Sequence, residues 1–191
     1  VYKRQVVEET NQYIGLKGLN LEEHFRRLVP IPMTVGNDMN FLTMGCWAQK
    51  HPDAGSLVTL FMGGNGIGGG MVINGRLWTG ASGYCSEVGF LPVYERLNKG
   101  SLGLPPAEHI SELYARLIQI YAVTVNPHMM VLYRHPLLEG RLDEIRRLCA
   151  SYLPSKAIPS IELSYDYQQD YEKGLFTVAK SMGQAVSEGG L

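Results

Sequence analysis

The sequence predicts an α/β fold, because short apolar runs that suit buried strands alternate with longer amphipathic segments that suit helices. The clearest strand candidates are Leu57–Met62, Met129–Tyr133 and Ile158–Ser164. The clearest helix candidates are residues 106–125, whose apolar side chains recur at helical spacing, and residues 170–186. Alternation of this kind is typical of the α/β class.

Further helices are predicted from capping residues and periodicity. Asn20 is a good N-cap with Glu23 at the capping-box position, which predicts a helix through about Leu28. Residues 41–50 and 139–152 also have helical character. In the closing helix, the apolar residues expected to face inward are Leu175, Phe176, Val178, Ala179 and Met182.

A glycine-rich stretch, Gly63–Gly70, follows the first strand candidate. After it, Asn74-Gly75 separates Met71–Ile73 from Arg76–Trp78 and is a strong hairpin signal. Glycines allow the backbone to approach a ligand closely and to direct several N–H groups at one anion. A dinucleotide motif would place a helix after the glycines, whereas a strand follows here. The stretch is therefore either a strand-turn-strand phosphate cradle or simply a flexible hairpin.

Composition excludes several classes of protein. The 191 residues are 45% hydrophobic and 18% charged, with a net charge of −1, which is ordinary for a globular protein with one core or two small lobes. Nucleic-acid binding would need a basic face, and the sequence supplies no basic run. We expect no contact with membranes, because no apolar run approaches the roughly 20 residues of a membrane span and no signal peptide is visible.

The cysteines indicate a reducing compartment. Cys46, Cys85 and Cys149 are scattered and odd in number, so they predict reduced thiols in a cytoplasmic protein rather than a disulfide framework or a zinc site. The chain begins at Val1 rather than at methionine. We therefore expect that its true N-terminus lies upstream.

Three motifs occur in a specific order. A short predicted strand, Met33–Val35, leads into Asn37-Asp38-Met39-Asn40; the glycine hairpin follows, and then Gly80–Gly89, which contains Glu87. This arrangement resembles the ROK family (repressor, open reading frame, kinase) over residues 18–89 and again from about residue 110 to the end.

The resemblance implies the actin-like, hexokinase-type ATPase fold, which is built from ribonuclease H-like lobes, with the first lobe incomplete in this chain. Residues 1–50 would be a remnant of the N-terminal lobe that carries the Asn-Asp-x-Asn motif. Residues 51–191 would be the C-terminal lobe with the glycine-rich phosphate hairpin. Family members are commonly dimers, so a homodimer is also expected.

The resemblance also implies roles for three polar residues. Asp38 would be the catalytic base that accepts the proton of a sugar hydroxyl during its attack on a γ-phosphoryl group. Asn37 and Glu87, together with Asp38, would bind sugar hydroxyls. Considered by itself, Asp38 also suits the N-cap of the next helix, and Glu87 suits a solvated loop.

In the same family the glycine hairpin binds nucleotide. Gly64, Asn65, Gly66 and Gly68 would cradle the phosphates of ATP, with Mg²⁺, if the chain is catalytic. Asn65 stands where the family usually has a threonine, and its amide can still donate a hydrogen bond.

The sequence departs from the family pattern in four places. The Asp-Gly-Gly-Thr hairpin that opens the family's fold is absent, and Phe90 replaces a histidine. The cysteine cluster of the family's zinc site is missing, so we predict no zinc. Tyr133-Arg134-His135 replaces a glycine turn beside the adenosine. Its side chains would fill or line the adenine pocket, or Arg134 would reach phosphate.

Together these features predict a sugar-binding protein related to ATP-dependent hexose or N-acetylhexosamine kinases, with no useful turnover by this chain alone. The alternatives are the effector-binding domain of a sugar-responsive transcriptional regulator, and a degenerate family member that binds sugar without either output. In each case the partner is a hexose or amino sugar.

Overall fold

The chain forms a five-stranded sheet with helices on both faces and a short two-stranded ribbon near its start. The computed structural model describes residues 2–3, 6–7, 14–29, 31, 33–64, 66–93 and 106–188. The strands are β1 (Tyr2–Lys3), β2 (Val6–Val7), β3 (Ser56–Gly63), β4 (Gly66–Ile73), β5 (Arg76–Leu77), β6 (Met129–Tyr133) and β7 (Ser160–Ser164). The helices are α1 (Leu21–Arg26), α2 (Asp38–Lys50), α3 (Ile110–Thr124), α4 (Leu142–Tyr152) and α5 (Tyr167–Glu188).

The order of strands in the large sheet is β5-β4-β3-β6-β7. The first three are antiparallel neighbours, whereas β6 runs parallel to β3 and β7 parallel to β6. The predicted turn between β4 and β5 is present: Asn74 and Gly75 have φ values of 50° and 72°, as a tight hairpin turn requires. This mixed sheet, with helices between its parallel strands, confirms the predicted α/β class.

Alternation along the strands divides the interior into two cores. On β3, Val58, Leu60 and Met62 face the core that α3 and α4 cover. Leu57 and Phe61, on the opposite face, belong to the core beneath α2 and α5. None of the helices within the described residues has both the length and the apolar character needed to cross a bilayer.

Helix α2 lies very close to the sheet because β4 presents glycines beneath it. A Cβ atom on Gly70 would lie 2.0 Å from the Thr43 hydroxyl oxygen and 2.7 Å from the Met39 carbonyl oxygen. A Cβ atom on Gly68 would lie 2.8 Å from Cγ of Met39. Gly66–Gly70 is therefore part of a strand rather than a loop, and two of its glycines make room for a helix.

The same helix crosses α5 at a second pair of glycines. A Cβ atom on Gly45 would lie 1.7 Å from the carbonyl oxygen of Asp170, and one on Gly174 would lie 1.7 Å from that of Phe41. Helix α2 therefore packs directly against α5, and the division of the chain after residue 50 stays a prediction. Whether the residues before α2 form part of another lobe stays a prediction.

A buried carboxylate joins four elements behind this crossing. Asp170 is completely buried; its Oδ2 accepts hydrogen bonds from Lys50 Nζ and from the Tyr133 hydroxyl, both at 2.7 Å. Lys50 Nζ also donates to Ser164 Oγ at 3.0 Å. Burial by itself lowers the pKa of Lys50, but hydrogen bonds to Asp170 and Asp166 outweigh it and raise that pKa. The charged ammonium group is the form that this network stabilises.

Several element boundaries differ from the prediction. The Asn20 cap is confirmed, since its side chain accepts a hydrogen bond from the Glu23 N–H at 3.0 Å. Helix α2 begins at Asp38 rather than at residue 41, because Asn37 caps it. The predicted strand Met33–Val35 is wrong, because these residues form no strand and pair with none of the described strands.

The predicted inward face of the closing helix is correct only in part: Val178 and Met182 are half-buried, but Leu175, Phe176 and Ala179 are exposed. Leu175 and Phe176 are 40% and 64% exposed. The glycine contact with α2 fixes the rotation of α5, so Asp170 and Gly174 face inward and their apolar neighbours turn outward. The apolar periodicity of α5 alone does not predict which side of the helix packs against α2.

We expect Gly70→Ala to destabilise the fold by about 1–3 kcal/mol, because the added methyl group forces α2 away from the sheet. A loss of stability is informative, because alanine is otherwise more favourable than glycine inside helices and strands. Urea denaturation measures the free energy of unfolding. The control is Gly15→Ala, where the added Cβ would meet no atom within 4 Å. Equal stability of the two variants would contradict the packing role of Gly70.

Candidate functional site

A pocket of about 280 Å³ lies where the N-terminal end of α2 meets the β3–β4 hairpin. Of the seven residues predicted for the site, the described ones all line this pocket: Asn37, Asp38, Gly64, Gly66, Gly68 and Glu87. The seventh, Asn65, lies outside the described residues. The fold thus brings residues from three separate motifs to one place, while their individual roles stay predictions.

Asn37 and Asp38 divide two tasks at the start of α2. Asn37 is the N-cap, with β-region φ and ψ of −72° and 138°, and its Oδ1 accepts the Met39 N–H at 2.8 Å. Asp38 is the first helical residue, and its Oδ1 accepts the same N–H at 2.8 Å. The capping role considered for Asp38 therefore belongs to Asn37. The Asp38 carboxylate is exposed at the pocket.

Glu87 reaches the pocket from a tightly turned loop. The preceding Ser86 has a φ of 67°, an uncommon value for a residue other than glycine. The loop lies against β4 at Gly69, where a Cβ atom would be 2.9 Å from the Ser86 carbonyl oxygen. Burial raises the pKa of Glu87, and the negative charge of Asp38 adds to the effect. The two carboxylates are thus close enough to influence each other.

The glycine-rich stretch leaves less backbone accessible to a ligand than its many glycines indicate. Gly63 pairs with Gly66, so the turn itself is only two residues long. Gly66 has a φ of 126°, a conformation that suits glycine alone. A Cβ atom on Gly64 would meet no atom within 4 Å, whereas Gly68 lies against Met39. Gly64 therefore leaves open space beside its backbone, whereas the space beside Gly68 is filled by Met39.

An aromatic side chain that the sequence analysis missed also lines the pocket. The ring centroid of Phe61 lies 4.4 Å from that of Tyr167, and Tyr167 stacks on Tyr171 with centroids 6.1 Å apart. Burial raises the pKa of Tyr167, and the charge of Asp38 contributes. Alternation along β3 could have placed Phe61 on the α2 side, but nothing in the sequence indicates that Tyr167 lies near it.

The side chains after β6 do not reach this pocket. Tyr133 is completely buried beneath α2, where it donates to Asp170, so it is a core residue. Arg134 is exposed and forms an ion pair with Glu139, with Nη2 2.7 Å from Oε1. The described residues that line the pocket include two carboxylates, Asp38 and Glu87, but no lysine, arginine or histidine. Charge therefore favours a neutral ligand over an anionic one.

Metal ligation has no evident site in the part of the chain that the structure describes. No three side chains of histidine, cysteine, aspartate or glutamate lie together there in an arrangement that would hold a metal ion. The absence of zinc stays a prediction from the missing cysteine motif.

Comparison with known proteins identifies the family. The model of the ROK family matches residues 2–106, which is more than half of the chain. The chain belongs to the ROK family. A glucokinase from Halalkalibacterium halodurans is 30% identical over 80 residues, a match that covers 42% of this chain. The chain spans only 24% of the length of that curated relative.

Solved ROK structures show the same fold. A ROK protein from Streptococcus pneumoniae in complex with sucrose superposes with a TM-score of 0.69 at 16% identity, over 96% of this chain and 78% of its own. A ROK glucokinase from Streptomyces griseus in complex with glucose and AMPPNP gives a TM-score of 0.58 at 16% identity, over 92% and 77%. The fold is therefore the actin-like, hexokinase-type fold, as the resemblance implied.

We expect Glu87→Gln to become more stable relative to the parent as the pH rises from about 4 to 7. The pKa of Glu87 is raised in the folded state, so its carboxyl group favours folding below the unfolded pKa and loses this contribution as the pH rises through the folded pKa. Glutamine removes this dependence. Urea denaturation at several pH values measures the difference. Asp143→Asn, which changes a 90% exposed carboxylate, is the control. Parallel pH profiles for Glu87→Gln and the parent would show that Glu87 is solvated.

Proposed function

We propose that this chain binds a hexose or amino sugar in the pocket at the start of α2. The observation that carries the proposal is that Asn37, Asp38 and Glu87, which are distant in sequence, line one pocket of about 280 Å³. Family membership supports it, since a glucokinase is among the chain's relatives and the similar structures were solved with sucrose and with glucose. The chain is thus related to ATP-dependent hexose and N-acetylhexosamine kinases.

The chemistry of the pocket suits a neutral polyol. Asp38 and Glu87 accept hydrogen bonds from hydroxyl groups, and hydrogen bonds to charged acceptors are the stronger ones. Asn37 uses its carbonyl oxygen to cap α2, so its NH₂ group is the donor that a ligand would meet. Phe61 offers an aromatic surface to the apolar face of a sugar ring. The volume of about 280 Å³ lies just below the roughly 300–1,000 Å³ range of ligand pockets, which suits a ligand of a single ring.

Phosphoryl transfer would place further demands on the same residues. Asp38 would accept the proton of the attacking hydroxyl, and its exposed position at the pocket is compatible with that role. Gly64, Asn65, Gly66 and Gly68 would lie against the phosphates of ATP; of the described three, Gly64 is open to a ligand. The described lining residues offer no cation. Mg²⁺ bound with ATP would supply the positive charge. Gly64 leaves space for phosphates, but the described lining residues do not neutralise the charge of the phosphates.

Some expectations about the whole protein remain predictions from the sequence. They are a homodimer, a cytoplasmic location, and no contact of this chain with nucleic acid or membrane.

We expect calorimetric titration with a panel of hexoses and N-acetylhexosamines to give saturable binding for at least one sugar. Asp38→Asn and Glu87→Gln should each weaken it about tenfold or more, because a hydrogen bond to a charged group contributes roughly 1.5–3 kcal/mol. Asp143→Asn, an equivalent change at an exposed carboxylate on α4, should have no effect. No binding of any sugar to a demonstrably folded sample would refute the proposal, as would equal affinities of the Asp38 and Asp143 variants.

A second candidate function is the effector-binding domain of a sugar-responsive transcriptional regulator. The observation that favours it is the lack of a basic residue among the described residues that line the pocket, since a regulator needs the sugar site but no polyphosphate site. We expect an ADP-release assay with the same sugars to show no turnover by this chain. Turnover that Asp38→Asn abolishes would instead establish that this chain is a kinase that needs Asp38.

A further inference from the structure

A second pocket of about 230 Å³ lies between the loop of residues 84–91 and the C-terminal half of α3. Its walls are mainly apolar and include Met71, Leu91, Ile120 and Val125. Glu87 lines this pocket as well as the first one. The two pockets are therefore neighbours that share one residue.

The size and lining of the second pocket limit what it can hold. A dry cavity of about 150 Å³ is large enough to bind benzene, so 230 Å³ accommodates one six-membered ring. Most of its wall is apolar, and the polar side chains that also line it include Cys85, Ser86, Glu87, Tyr121 and Thr124. Burial raises the pKa of Tyr121 to about 12, so the hydroxyl stays neutral. A ligand that suits this lining is a compact ring that is mainly apolar.

The loop that separates the two pockets is held in a fixed shape. Ser86 has a positive φ, its carbonyl oxygen lies against β4 at Gly69, and the Tyr121 side chain approaches the same glycine, with its hydroxyl 3.2 Å from the position of an added Cβ. Strained residues of this kind cluster at ligand sites. The second pocket is thus built from a rigid helix and a constrained loop.

We propose that this pocket is a binding site for a compact apolar ring, directly beside the proposed sugar pocket. The ring belongs either to a separate small molecule or to an apolar substituent of the sugar. The position beside a sugar rests on the proposed function, whereas binding of the ring itself does not.

Cys85 provides a direct measurement of occupancy. Cys46 and Cys149 are completely buried, and burial raises their pKa values to about 12 and about 11, so both thiols are inert in the folded protein. Cys85 is half-buried and lines the pocket. We expect N-ethylmaleimide to modify Cys85 first, as mass spectrometry would show. Phenol should slow the modification saturably, with a half-maximal concentration on the order of 1 mM, as suits a ligand of this size.

Variants on α3 separate occupancy from nonspecific protection. Thr124→Trp places a large ring at a position that lines the pocket but is itself exposed, so the fold should tolerate it. This variant should abolish the protection of Cys85 by phenol. Val123→Trp, at the adjacent position, which is 66% exposed and outside the pocket, should keep that effect. If Thr124→Trp fails to fold, Val125→Trp is the second filling variant.

Glycosides distinguish the two sources of the ring. A phenyl glycoside that binds about tenfold or more tighter than the methyl glycoside, and that protects Cys85, assigns the ring to the sugar ligand. Protection by phenol without such a gain assigns it to a separate molecule. No saturable protection by either compound, or identical protection in Thr124→Trp and the parent, overturns the proposal. Because the phenol measurement needs no sugar, failure of this site and failure of the sugar site give different results.

Discussion

The close approach of α2 to its neighbours is the constraint on which the rest of the structure depends. Helix α2 touches the sheet through the space left at Gly68 and Gly70, and it crosses α5 where Gly45 meets Gly174. Backbones this near to each other exclude every larger side chain at these positions. Because the position of the helix axis is fixed, the position of its first residue, Asp38, is fixed with it. The carboxylate reaches the pocket as a consequence of helix packing.

The opposite end of α2 is held by a different kind of interaction. Lys50, in the last turn, donates to the completely buried Asp170, which also accepts the Tyr133 hydroxyl. Removing one partner of such a buried pair is strongly destabilising, because it leaves a buried charge without compensation. The glycine contacts fix how α2 and α5 face each other, and Lys50 connects the last turn of α2 to Asp170 on α5 and to Ser164 on β7. Packing and the ion pair together give α2 one position and one rotation.

How far the sequence predicts this structure depends on whether a feature is local. The strand β3, the Asn74-Gly75 turn and the Asn20 cap follow from short-range chemistry and are confirmed. The joint location of Asp38 and Glu87 could be expected only from the family resemblance, because no local pattern connects them. The strand conformation of Gly66–Gly70 depends on its pairing with β3, and the outward position of Phe176 depends on the contact of α5 with α2. A helix's own periodicity shows where its apolar residues lie, but not which neighbour requires a glycine.

The charge of the residues that line the pocket indicates whether a sugar or a nucleotide suits it better. A sugar is neutral, and two carboxylates are effective acceptors for its hydroxyl groups. A triphosphate carries several negative charges, and near Asp38 and Glu87 it would be repelled unless cations compensated for them. A kinase and a sugar-responsive regulator both need a sugar site, so the proposed recognition of a sugar does not depend on whether this chain is catalytic.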